Sequence, residues 1–480
     1  MKALTVIAAL LAVTSVGFCQ TPVDREVQKK VVAAADLYKG GDAAGATKAF
    51  EELYKTSPEN VDVLSWLGFL YVRADRAAEA APLLEKALNA KPSSIDLLNN
   101  LGNARQKLGQ DDKALSAYQR ITEIDPKMFE GWYNLGNINL RLGKLDNALS
   151  AYTKATELKP SDPFLYNNIG VVYERQKKYD FAATSFVKAA NLRQDNVVFA
   201  KNAGLTLAKV GQAEPAITFL ERANKMDPAD MSVVLTLADC YGKQGRRADA
   251  LRVYEANQQA LAGNAAFWFN LGVLRDQTND PKGAEEAYAH ALQITPTDTD
   301  ALNNYGLLLF RQKRYEDAQN VFEKLIGLDP NNRDTKLNLA AAAAKNSDFD
   351  TAIKLWRDVL RTDNGRTDLR VSLANALWVT GDQEGAIAQF KLVLNVNKSQ
   401  PDALNGLGLW SLKASKLAEA ENYFRRAIQS SGKFVQAYNN LGVVLERQNK
   451  KAEAIKVWER GAQIDPNNKE IRENLSRVKG

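Results

Sequence analysis

The sequence predicts an all-α protein, a solenoid of thirteen helix-turn-helix units with a period of 34 residues. Three observations carry this. Every residue whose number is a multiple of 34, from Ala34 to Gly442, is Gly or Ala. Every residue twelve places further on, from Ala46 to Ala454, is Ala. Four places beyond each Ala stands a large apolar residue, among them Phe50, Tyr118, Phe186, Trp356 and Trp458. The same period explains why LYNNIGVVYERQKKYDFAATSF (165–186) nearly recurs as AYNNLGVVLERQNKKAEAIKVW (437–458), eight periods later.

Each unit holds two amphipathic stretches with apolar residues three and four apart. A polar turn separates them and contains Gly in six units, including Gly41, Gly109 and Gly381. A small residue in the first helix and Ala in the second let the two helices approach closely, and the large residues fill the space beside them. Pro, present in eight units at sites such as Pro126 and Pro330, stops the second helix. One hairpin cannot bury its own apolar faces, so stacking must supply the core.

Counting from Val27, the units carry Gly or Ala at position 8, Ala at 20, a large residue at 24 and often Pro at 32. This pattern resembles the tetratricopeptide repeat family over Val27–Asn468. The family's position-4 Trp stands at Trp132 and Trp268, with Tyr166 and Tyr438 as near equivalents. The resemblance implies a right-handed superhelix that binds proteins. The Asn-Asn-Leu-Gly runs resemble the superhelical arm of O-linked N-acetylglucosamine transferases, without room for their catalytic domain. The expected organisation is a signal peptide at 1–19, a linker at 20–26, thirteen repeats at 27–468 and a capping helix at 469–480.

The first residues carry Lys2 and then an apolar run from Ala3 to Val13, too short to span a bilayer, as in a secretory signal. Cleavage would follow Gly17 or Cys19, and a lipid anchor at Cys19 is the alternative. The expected location is exported: periplasmic or secreted, with outer-membrane association as a variant. No transmembrane span is expected. Lys and Arg number 63 against 57 Asp and Glu, interleaved, which argues against a nucleic-acid surface.

Repeats, signal and cap leave no catalytic domain. The single histidine, His290, reads as a surface residue, and Cys240 as a small buried hydrophobe. No enzyme activity, metal or cofactor is expected. The expected function is a protein-interaction scaffold of the bacterial envelope or secreted space. The alternative is a carbohydrate-handling or transferase-associated protein working in polysaccharide export or on a glycosylated substrate.

By the resemblance, first helices line the groove. Position 6 is Asn at Asn100, Asn134, Asn168, Asn202, Asn270, Asn304, Asn338 and Asn440. The transferase-arm likeness implies that this row binds an extended peptide backbone. Position 13 is Lys or Arg in eleven repeats, from Lys39 to Arg447, and position 2 is acidic in seven. The helix dipole favours both rows, so they read as structural. The family's carboxylate clamp is absent from repeats 3–5, where Asn99, Phe164 and Asn168 replace its cations. Repeats 10–12 depart most: Lys336 and Arg370 replace the apolar position-4 residue. There Val371, Trp378, Val379 and Leu412 form a candidate apolar anchor, with Trp66, Phe69 and Val72 as a weaker one.

Overall fold

The structure, a computed structural model, describes residues 22–479. They form helices joined by tight turns, with no strand among the described residues. The helices pair as expected, beginning with α1 (Pro22–Lys39) and α2 (Ala43–Thr56) and ending with α25 (Val435–Arg447) and α26 (Lys451–Ile464). A last helix, α27 (Lys469–Lys479), closes the series. Helix α1 begins at Pro22, so the linker expected at 20–26 is helical from that residue on. The signal segment and Cys19 lie outside the described residues.

The small position-8 residue is a contact surface for the ring at position 24 of the same hairpin. A Cβ added at Gly102 would lie 2.7 Å from Tyr118 Cε1, at Gly170 2.6 Å from Phe186 Cδ1, and at Gly306 2.6 Å from Phe322 Cε1. The position-24 rings of Phe50, Tyr118, Tyr152, Phe186, Phe322 and Trp458 are essentially fully buried. The Ala at position 20 is equally buried, from Ala46 to Ala454.

The turn between the two helices needs one left-handed residue in every repeat. Gly41, Gly109, Gly143, Gly211, Gly245 and Gly381 have positive φ. The other seven repeats place Asp75, Lys177, Asn279, Lys313, Ser347, Ser415 or Asn449 there, at φ 59–67°. Six glycines were visible in the sequence; the strain at the other seven positions was not.

The chain divides into two compact units, one ending at Ala260 and the other beginning at Leu261. The division follows α14 (Arg247–Asn257), a second helix of 11 residues where α2 has 14. Asn257 is 1% exposed and occupies position 27, which is apolar or Gly in the other twelve repeats. Its Nδ2 donates to Val253 O at 2.6 Å, the nearest acceptor in its own helix. A buried amide must find such a partner.

The last helix, α27, continues the register of the first helices. Ile471 is fully buried, and Asn474 occupies the position-6 place. Arg477 pairs with Glu446 through two nitrogens at 2.5 and 2.7 Å.

Two expected outcomes test this packing. Helix propensity alone would make Gly170→Ala stabilising by about 1 kcal/mol. The ring beneath it predicts the opposite sign, a loss of about 1–3 kcal/mol, measured by urea unfolding. Lys313→Gly should raise stability by about 0.5–1 kcal/mol, since relief of left-handed strain exceeds the added unfolded-state entropy. A lower urea midpoint for that variant would contradict the turn assignment.

Candidate functional site: the inner face of the first helices

Within each unit, first helices of most successive repeats touch one another, and no pair of second helices does so to a comparable extent. First helices therefore line the inner side of each stack. Their outward-facing positions set its chemistry.

The position-6 asparagines are joined to the repeat before them. Asn134 Nδ2 donates to Asn99 Oδ1 at 2.9 Å, and Asn202 Nδ2 to Asn167 Oδ1 at 2.9 Å. Asn440 Nδ2 donates to Asn405 Oδ1 at 2.9 Å, and Asn338 Nδ2 to Asn303 Oδ1 at 3.3 Å. In the cap, Asn474 Nδ2 donates to Asn439 Oδ1 at 2.9 Å. Each bond spans 35 residues, from position 6 to position 5 of the preceding repeat. The doubled Asn-Asn is the sequence signal for it, and the sequence reading used only the second Asn.

Asn168 belongs to a larger network. Its Nδ2 donates to Asn137 Oδ1 at 3.0 Å and to Tyr133 Oη at 3.3 Å. Asn137 Oδ1 also accepts from the buried Tyr152 hydroxyl at 2.7 Å. Tyr118 makes the equivalent bond to Asn103 Oδ1 at 2.7 Å. Burial raises the ionisation of both tyrosines well above the usual phenol range, so they remain donors. The remaining ladder members differ. Asn270 Nδ2 donates to Ala266 O of its own helix at 2.7 Å. Asn304 is half-buried and Asn100 is 7% exposed, and neither makes a side-chain hydrogen bond to the described residues.

The paired amides are only half used. At Asn99, Asn167, Asn303 and Asn405 position 5 accepts through its carbonyl and keeps its N–H groups, while the paired position 6 uses one N–H and keeps its carbonyl; Asn439 alone also donates, to Glu470 at 2.8 Å. The inner face thus carries donors and acceptors at the repeat spacing.

The position-13 cations are largely tied into the fold. Lys107 Nζ donates to Val72 O at 3.3 Å and pairs with Asp75 at 2.5 Å. Arg175 Nη1 donates to Leu140 O at 3.0 Å, and Arg141 pairs with Asp111 at 2.8 Å. The carbonyls they reach belong to the last turn of the preceding first helix, as the dipole argument requires.

Repeats 10–12 keep more of the pattern than their sequence suggests. Trp132 Nε1 donates to Pro126 O, and Trp268 Nε1 to Ala262 O, both at 2.8 Å. The Tyr166 and Tyr438 hydroxyls reach Pro160 O and Gly432 O at 2.8 and 3.1 Å. Arg370 makes the same reach, its Nε and Nη2 donating to Asn364 O at 3.1 and 2.9 Å. A position-4 donor thus fastens the carbonyl at position 32 of the preceding repeat, whether the residue is aromatic or not. Lys336 instead pairs with Asp358.

Position 6 of repeat 12 lacks its Asn for a packing reason. Phe390 lies against Gly406, leaving no room there for a Cβ. Position 8 of the ring's own repeat is Ala374, not Gly. The glycine that makes room for the ring has moved to the next first helix, in a place Asn holds in eight repeats.

Of the candidate anchor, Val371 and Trp378 are half-buried against the core of repeats 10–12, and Leu412 packs against the next cluster. Val379 is 63% exposed. The second candidate is mostly interior: Trp66 is 4% exposed and stacked on Phe50 at 5.6 Å, and Val72 is 7% exposed. Only Phe69 is partly open, so Trp66 is corrected to a core residue. His290 is exposed and stacks on Trp268 at 4.4 Å. Cys240 is buried, which pushes its thiol up. Among the described residues no group of three or more His, Cys, Asp or Glu could hold a metal ion. No helix among them is long and apolar enough to cross a membrane.

Stacked helical hairpins with a polar inner face define an α-solenoid of the protein-interaction class. The chain belongs to the tetratricopeptide repeat family, whose model matches residues 32–95, 99–163, 337–403 and 406–469. A second model, described as the cytochrome c-type biogenesis protein H TPR domain, matches 259–362. Among curated proteins none matches the chain. Solved structures similar to it include YrrB, described as a TPR protein with an unusual peptide-binding site. That match has 26% identity, covers 40% of this chain and 98% of the other, and has a TM-score of 0.36. MamA matches at 28% identity over 34% of this chain and 94% of its own, TM-score 0.32. The APC/C hetero-tetramer Cut9–Hcn1 matches at 14% identity over 99% and 98%, TM-score 0.36.

The displaced glycine makes a checkable prediction. Gly406→Asn should lower the melting temperature, because the new side chain collides with Phe390. The loss should be smaller when Ala374→Gly is added, which restores the ring's place in its own hairpin. Equal losses in both backgrounds would refute the coupling.

Proposed function

We propose that the protein is a non-catalytic interaction scaffold, exported to the bacterial envelope or secreted space, that holds a partner segment along its inner face. The observation that carries this is the half-used amide ladder. An extended backbone offers alternating N–H and C=O groups, and the amides at Asn99/Asn134, Asn167/Asn202 and Asn405/Asn440 leave both kinds free. Asn100, Asn168, Asn270, Asn304 and Asn338 extend the row. Support for export comes from the apolar leader at Ala3–Val13 and from the match to a cytochrome c biogenesis domain model. The organisation proposed is the one set out from the sequence: leader, thirteen repeats, and a cap that begins a fourteenth.

In repeats 11 and 12 the amide row gives way to Ser372 and Gly406, and position 13 of repeat 11 is Val379 instead of a cation. Here Val371, Trp378, Val379 and Leu412 would grip an apolar side chain of the same partner.

Affinity capture after cross-linking in a bacterial envelope fraction tests the proposal. The expected outcome is reproducible cross-links from inner-face residues to one protein. Recovery of glycan without protein would overturn it in favour of the carbohydrate reading. Trp378→Ala should weaken the captured partner's binding by about tenfold or more. Because Trp378 also packs inward, Val379→Asp is the companion variant, with circular dichroism as the check on folding. Unchanged affinity in both would remove the anchor.

A further inference from the structure

An open recess of about 470 Å³ lies on the inner face of repeats 2–4. We infer that it is a carboxylate-binding site, taking an acidic residue or chain terminus of a peptide together with a neighbouring apolar side chain. This rests on the inner-face reading above and assigns the ligand chemistry at one place within it.

The lining is rich in donors and contains no Asp or Glu. Two of its asparagines have spent their carbonyls inside the protein. Asn99 Oδ1 accepts from Asn134, and Asn103 Oδ1 accepts from the Tyr118 hydroxyl. Their N–H groups make no hydrogen bond to the described residues and are held ready for the recess. Asn100, 7% exposed, lines the same recess and has no hydrogen-bond partner among the described residues. Its amide atoms are open to solvent in the recess, so they can meet a ligand there without giving up a bond inside the protein.

The cations complete the case. Arg73 lines the recess, is exposed and has no ion-pair partner among the described residues, unlike Lys107 and Arg141 beside it. Arg141 engages Asp111 through Nε only, which leaves its terminal nitrogens available. Guanidinium and amide N–H groups converging on one space match a carboxylate, whose oxygens only accept. Phe69 and Val72 form an apolar wall beside them, suited to the residue next to the acid. The arrangement differs from the clamp sought in the sequence, because its cations come from position 13.

Fluorescence anisotropy tests this on the full chain. The probes are labelled peptides of alternating leucine and glutamate, or leucine and glutamine, each as free acid and as C-terminal amide. The amidated glutamate peptide should bind about tenfold or more tightly than the amidated glutamine one, and more weakly as salt rises. If only free-acid forms bind, the chain terminus supplies the carboxylate, and the site stands. Asn100→Asp should weaken binding about tenfold by placing a carboxylate among the donors, and Arg73→Gln several-fold. Arg460→Gln, on a distant second helix, should change nothing. Equal binding of all four peptides, unaltered binding by folded Asn100→Asp, or no saturable binding of any peptide would overturn the assignment. Equal binding that is lost in Asn134→Ala and Asn168→Ala would overturn it while leaving the backbone-binding ladder intact.

Discussion

The contact between a glycine in one helix and a large ring in the next is what the remaining architecture depends on. With no Cβ at position 8 in nine repeats and only that of Ala in the other four, the large residue at position 24 comes close to the backbone of its partner helix, and the Ala at position 20 holds that approach. The two helices then behave as one slab, and each slab presents the same ridges to the next. A single dimension recurs thirteen times without insertion. That recurrence brings position 6 of one repeat opposite position 5 of the preceding one. The amide ladder is therefore a consequence of packing at the hairpin's interior.

Function on such a fold arises where side chains face outward and are not consumed by the fold. Most polar groups on the inner face are consumed in part. Lys107 and Arg175 hold helix-end carbonyls, Asn103 and Asn137 serve buried tyrosines, and the Asn pairs link repeats. What is left over is ordered in space, because its other half is pinned. An amide with one side fixed by a neighbour offers a preorganised donor or acceptor, which lowers the entropic cost of meeting a ligand. Arg73 and Asn100 stand out because they have no such internal partner.

Much of this was legible in the sequence because the repeat multiplies each signal. The period, the two helices and the small-residue contact could all be located from Gly, Ala and large apolar positions. The left-handed turn residue could be located in six repeats from Gly; at Lys177 or Lys313 the residue type hides the conformation, and only the period betrays it. Arg370 looked like a loss of the apolar position-4 residue, yet its guanidinium reaches the same carbonyl as the position-4 Trp and Tyr residues. The signal lay in donor capacity, not in apolarity. Trp66 looked like a groove residue by position, but Phe50 and its own neighbours enclose it. The shortened helix ends at Asn257, a polar residue in a seam that is otherwise apolar or Gly. It was missed because the register continues through it.

The central claim is that partners meet the first helices. The most direct measurement is site-specific photo-cross-linking in the native cell envelope. A photoreactive residue would be placed at Gln106 or Asn375 on first helices and at Arg120 or Arg460 on second helices. The account predicts protein adducts from Gln106 and Asn375 and none from Arg120 or Arg460. Adducts confined to the second-helix positions would contradict it and move the interaction surface to the opposite face of the repeats.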